Sequence, residues 1–218
     1  MISSSRPLAV ATVVLASGLV ACGGAIRQSA AEDDPTLSPA AQARADGGRG
    51  PYTLADARFM QGMIAHHAQA LVMVALAPTN GARSDVRILA ERIDVAQRDE
   101  IEFMQRWLRE RGETVPTVHA AHDMAGHQMP MSDTMMMPGM LSVEQMAELK
   151  AARGPDFDRL FLTFMIQHHE GAVTMVEQLF GSPGSGQEIN VWRFASDVEA
   201  DQGSEIARMR AMLSPPSE

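Results

Sequence analysis

The sequence predicts an all-α protein. Apolar residues recur at three-four spacing, cap and stop residues punctuate them, and the long helical pattern occurs twice. Thr53-Leu54-Ala55-Asp56 reads as a capping-box start. Its stripe runs Phe59, Met63, His66 or His67, Ala70, Met73 and Ala77, and Pro78 with Asn80-Gly81 stops it. Ser84 is placed to cap a second helix striped by Val86, Leu89, Ile93, Ile101, Met104 and Leu108, ended by Gly112. Ser142 with Gln145 makes a further capping box, opening a short helix closed by Gly154-Pro155. Asp156 is placed to cap the next helix, which runs to about Phe180 before Gly181. The last spans about Gln187 to Leu213, before Pro215-Pro216. No segment shows convincing period-two strand patterning.

The duplication is explicit. Phe59-x-x-x-Met63-Ile64-x-His66-His67 returns as Phe161-x-x-x-Met165-Ile166-x-His168-His169 at an offset of 102, and Met73 falls on Met175. Gln97-x-x-Glu100-Ile101-x-x-Met104 returns as Gln202-x-x-Glu205-Ile206-x-x-Met209. Two helical hairpins with like inner faces predict a four-helix bundle with pseudo-two-fold symmetry and one short extra helix. The repeats cover 53–112 and 142–213, joined by a connector over 113–141.

Ahead of the bundle, Met1 to Ala21 carries Arg6 and then an apolar run too short for a comfortable membrane span, the shape of a secretory signal. It ends in Leu19-Val20-Ala21-Cys22-Gly23, which resembles the lipobox of bacterial lipoproteins. Cys22 is therefore the expected lipidation site, since two or more acyl chains give durable attachment where one gives little. Residues 22–52, rich in Ala, Gly, Asp, Ser and Pro, are expected to tether domain to lipid. The expected location is a bacterial membrane surface, facing periplasm or cell exterior.

Composition narrows the function. A net charge of −9 without a basic run disfavours nucleic acid and suits attraction of cations. One Cys excludes an internal disulfide and a structural zinc cage of cysteines, whereas there are 17 Met. All seven His fall in three places, His66-His67, His168-His169 and the connector. On a helix, Met63, His66 and His67 are three and four apart and can reach one spot, with Met73 two turns on. Met165, His168, His169 and Met175 repeat the set. Imidazole with thioether selects a soft or borderline ion, copper first and Cu(I) before Cu(II). A thioether also resists the oxidation that threatens thiolates outside the cytoplasm. Met on a helical stripe is ordinarily core filler, but two copies of Met-x-x-His-His on equivalent helices are poorly explained by packing. Glu100 and Glu205 are expected to orient the His rings from behind, with Met104 and Met209 beside them.

The connector is a second candidate. It reads His119-Ala-Ala-His122-Asp-Met124-Ala-Gly-His127-Gln-Met129-Pro-Met131, then Met135-Met136-Met137-Pro-Gly-Met140. It is too broken by Pro and Gly for a helix, and Met in an exposed loop forfeits burial. His119, His122, Met124, His127, Met129 and Met131 are its candidate ligands; a hydrophobic flap over the bundle is the competing reading.

With these residues in view, the chain resembles the DUF305 family of exported, often copper-associated proteins. The pattern Asp-x-x-Phe-x-x-x-Met-Ile-x-His-His, then Gln-x-x-Glu-Ile-x-x-Met, is matched by Asp56 to His67 and Gln97 to Met104, with Asp158 to His169 repeating the core. The resemblance covers about Thr53 to Leu213 and implies a ferritin-like bundle and a part in copper tolerance or trafficking. One departure is Glu170, where the first repeat has Ala68, which implies that the two sites differ.

The expected function is thus copper sequestration or delivery, without enzymatic activity and with another copper protein as a candidate partner. A di-metal oxidase of ferritin type would need Glu-x-x-His pairs, which the sequence lacks. A structural or interaction lipoprotein with incidental His pairs is the third reading.

Overall fold

The computed structural model describes residues 51–116 and 137–214. Within them the chain forms five helices and no strand: α1 (Leu54–Val74), α2 (Ser84–Glu110), α3 (Val143–Ala151), α4 (Gly154–Gly181) and α5 (Ile189–Leu213). The four long helices pair as two hairpins, α1 with α2 and α4 with α5, and α1 packs on α4; the short α3 leans on α4. No helix among the described residues is long and apolar enough to cross a membrane. The expected signal segment, Cys22, the expected tether as far as residue 50, and the candidate connector ligands His119 to Met131 lie outside the described residues, whereas Tyr52, counted with the tether, is buried in the core and donates to Glu113 at 2.7 Å.

The caps follow the sequence in part. Thr53 and Ser142 each form a full capping box, with Asp56 and Gln145 reaching back. Helix α1 ends at Val74, short of Pro78, and seven turn residues follow it. Ser84 is the first helical residue and not the cap: Arg83 occupies that position without a side-chain bond. Gly154-Pro155 opens α4 where it was expected to close α3, and Asp156 sits in the first turn of α4 without capping it. Proline fits there because a first-turn N–H has no helical partner. Glu188 caps α5, accepting from the N–H groups of Asn190 and Val191.

The two motif aspartates tie the hairpins together. Asp56 on α1 accepts the N–H of Gly186, in the loop before α5, at 2.7 Å. Asp158 on α4 accepts the N–H of Arg83, just before α2, at 3.2 Å. Each hairpin thus clasps the other's loop through the same motif position. Asn80 fastens α3: its side-chain amide donates to the carbonyls of Leu149, Lys150 and Ala152 at the end of that helix, and the Arg153 guanidinium also donates to the last two.

The core is divided. One apolar cluster joins Phe59, Met63, Met104, Trp107, Met175, Val176 and Val198. The other joins Met73, Val86, Ile93, Phe161, Met165 and Met209. The first half of α1 therefore meets the second half of α4, and the reverse, so these helices run antiparallel. Between the two clusters, along every long helix, lies a belt of polar residues. The belt holds His66 and His67 on α1, Gln97 and Glu100 on α2, His168 and His169 on α4, and Gln202 and Glu205 on α5.

Candidate metal centre

All four imidazoles of the belt have no solvent exposure. The His-His pairs do not aim at one spot, contrary to the expectation from spacing, because neighbouring residues on a helix point about 100° apart. The first ring of each pair turns to the facing helix: His66 and His168 lie with ring centroids 3.9 Å apart, tilted by 38°. The second ring turns to the hairpin partner. His67 Nε2 donates to Glu100 at 2.6 Å, and His169 Nε2 donates to Glu205 at 2.7 Å. Both carboxylates therefore accept from the outer ring of their own hairpin.

The inner rings are held by backbone. His66 Nε2 donates to the Pro138 carbonyl, and His168 Nε2 to the carbonyl of His66, both at 3.0 Å. A carbonyl oxygen only accepts, so in both rings the proton sits on Nε2 and a neutral ring leaves its lone pair on Nδ1. Burial, reinforced by His67 and His169 and opposed by the Pro138 carbonyl, pushes His66 down to about 3. Burial, with His66, His169 and His67 adding to it, also holds His168 well below the ordinary imidazole range.

The other nitrogen is the notable one. Nδ1 of His66, His67, His168 and His169 is buried without a hydrogen-bond partner, and so are both amide atoms of Gln97 and Gln202. Native interiors leave few such groups, and each costs about 1–3 kcal/mol. Here they fall in one belt, at equivalent positions of both repeats. Rings fixed through one nitrogen by a carboxylate or carbonyl, with the other left as a lone pair, have the arrangement that metal-binding histidines use. As the side chains stand, no three His, Cys, Asp or Glu among the described residues converge on one ion position.

The thioethers lie above and below the belt. Met63, Met73 and Met165 have no solvent exposure, and Met175 has 8 %. Met63 and Met175 share one apolar cluster with Met104, while Met73 and Met165 share the other with Met209. The Met of each sequence motif is therefore split between two core halves. Glu170, expected to distinguish the two sites, is exposed and pairs with Arg210 on α5 at 2.6 Å, so it does not enter the belt.

Three features escaped the sequence reading of the site. Asp201, exposed on α5, has its carboxyl raised above the ordinary range by partial burial, then by Glu100, Asp197 and Glu205. Gln97 and Gln202 were visible in the repeat, but nothing in sequence marks an amide as partnerless. The segment from Met137 to Ser142 presses onto the seam between α1 and α4. Gly139, at φ +75, and Gly171 touch so closely that a Cβ on Gly171 would overlap the Pro138 carbonyl. Gln69 fixes the next turn, bonding both the N–H and the carbonyl of Leu141.

Comparison with known proteins agrees with this architecture. A DUF305 fragment from Deinococcus radiodurans is 30 % identical, with a TM-score of 0.61, over 75 % of this chain and 97 % of that one. A DUF305 protein of Streptomyces coelicolor assigned as secreted is 28 % identical, with a TM-score of 0.60, over 73 % and 91 %. CopM in its Cu(II)-bound form is 25 % identical, with a TM-score of 0.56, over 72 % and 95 %. No curated protein sequence matches the chain. The family model described as a domain of unknown function, DUF305, matches residues 56–213, well over half the chain, and so this protein belongs to the DUF305 family.

Proposed function

We propose that this protein binds copper, held as Cu(I) in preference to Cu(II), and sequesters it or passes it on without transforming a substrate. The observation that carries the proposal is the set of four buried Nδ1 atoms without a hydrogen-bond partner, each on a ring already held through Nε2. A lone pair in an apolar interior needs a donor or a cation. A closed-shell ion satisfied by two or three soft donors suits rings that meet in pairs better than an ion demanding a closed tetrahedral cage. The buried thioethers on either side favour the cuprous state. CopM, a relative at 25 % identity, has been solved with copper bound, which supports copper as the cargo.

The same reading places the protein outside the cytoplasm on a lipidated Cys22, with the Met/His-rich connector as an additional capture segment. The Leu-Val-Ala-Cys-Gly sequence and a secreted relative support export. A di-metal oxidase is less well supported: Glu100 and Glu205 are engaged with His67 and His169, and the sequence holds no Glu-x-x-His.

Loading with Cu(I) under anaerobic conditions, in competition with a chelator, tests the site. Joint replacement of His66, His67, His168 and His169 by Ala, with the connector intact, should remove the bundle-bound copper. Unchanged stoichiometry and affinity would sink the belt as the site. In the unaltered protein, Ag(I) should move the Nδ1 and not the Nε2 nitrogen resonances of these rings. Detergent partitioning of the full chain against Cys22→Ala tests the anchor, which equal partitioning would refute.

A further inference from the structure

We propose that Met137 and Met175, together with His66, form a distinct soft-ion site at the seam where the connector rejoins the bundle. The site deepens the copper reading and rests on it for the choice of ion. Gly62 leaves an opening on α1, and two thioether ends fill it. A Cβ at Gly62 would lie 3.4 Å from Met175 Cε and 3.5 Å from Met137 Sδ. The two methionines thus meet at one point, although they lie on separate segments far apart in sequence.

The repeat shows that this opening is specific to one side of the molecule. The position equivalent to Gly62 in the second repeat is Phe164, which fills its own space and packs in the other core half. On the α1 side the corresponding volume is left to a side chain arriving from the connector. The backbone then fixes that arrival. Gly139 against Gly171 sets how closely the segment approaches α4, and the Pro138 carbonyl receives the His66 proton at 3.0 Å. His66 stands about one turn on from Gly62 along α1, tied to the same segment by that bond and with its ring against His168. Two methionine side chains thus border α1 at Gly62, and one imidazole a turn further on is bonded to the residue after Met137.

Exposure gives the pair a direction. Met137 is half-buried, whereas Met175 is 8 % exposed and reaches the core beside Met63. The seam can accept an ion from outside through Met137 and bring it against Met175 and His66, at the edge of the His belt. Neutral thioethers neither gain nor lose a proton on binding, so no coupled step is required. The class of ligand is a monovalent soft cation, Cu(I) or its redox-inert mimic Ag(I).

The experiment is a titration of the full chain in detergent with Ag(I), following ¹³C-labelled methionine methyls assigned with Met137→Leu and Met175→Leu. Met137→Leu is a near volume-conserving change at a half-buried position, and unaltered circular dichroism verifies its fold. The methyls of Met137 and Met175 should shift together at the first equivalents. Met137→Leu should weaken Cu(I) binding about tenfold against a chelator, a difference of about 1.4 kcal/mol, with the His67 and His169 ring signals still responding. Binding with both methyls unmoved, or full affinity in Met137→Leu, overturns the seam site and leaves the belt standing. Failure of the unaltered chain to bind Ag(I) or Cu(I) overturns both.

Discussion

The two repeats differ where the connector lands and agree where the core is built. Phe59, Met63, Ile64, His66 and His67 are matched residue for residue by Phe161, Met165, Ile166, His168 and His169. The mismatches at Gly62 against Phe164, Ala65 against Gln167, and Gln69 against Gly171 all concern the segment 137–145. Met137 lies over Gly62, Gln167 bonds Gln145, Gln69 holds Leu141, and Gly171 receives Gly139. A duplicated hairpin keeps what faces its symmetry mate and diverges where a single-copy segment must dock. The His belt inherits this asymmetry: the outer rings have equivalent Glu partners, while His66 is bound by the connector's end and His168 by α1.

The largest expected effect comes from forcing the repeats to agree at the docking seam. Gly171→Ala places a methyl on the Pro138 carbonyl and should cost about 3 kcal/mol in denaturant unfolding, freeing the His66 partner. A stable variant with His66 still bonded would show that the close approach is dispensable.

Next is the acid response of the metal-free protein. His66 and His168 titrate lower when folded than when unfolded, where imidazole lies near 6.5. Below that pH the unfolded chain holds more protons. Their contribution is therefore complete above about pH 6.5 and is lost progressively as pH falls toward 3, the region of folded His66. Urea midpoints measured through this window should decline, and a flat profile would contradict buried neutral rings.

The outer arms provide the symmetric control. Glu100→Ala and Glu205→Ala each strand a buried imidazole N–H and should each lower stability by about 2 kcal/mol, equally within error. Clearly unequal losses would break the symmetry assigned to these arms. The smallest effect belongs to Glu170→Ala, which removes an exposed pair with Arg210 and should change stability by under about 0.5 kcal/mol and copper affinity not at all. A marked loss of affinity there would restore Glu170 to the site.

Much of this was legible in sequence because the relevant signals are local. Helix number, both capping boxes, the hairpin duplication and the matched positions of Glu100 and Glu205 follow from spacing within one or two turns and from comparing one repeat with the other. The helix starts near Ser84 and Asp156 were misplaced because Asp and Ser favour a cap and the first turn alike. At the candidate site, the residues were legible and their directions were not. Spacing placed Met63, His66 and His67 on one face, but which neighbour each ring meets depends on how α1, α2 and α4 pack.

The sequence by itself determined an all-helical, duplicated chain whose His, Met and Glu stand at repeated positions, since helical period and capping chemistry are properties of adjacent residues. Only the tertiary structure decided that the rings form a buried belt between two apolar cores, with every Nδ1 left over and the connector's end seated on Gly62 and Gly171. Those outcomes depend on contacts between residues tens of positions apart, where close packing admits one arrangement and no local pattern records it.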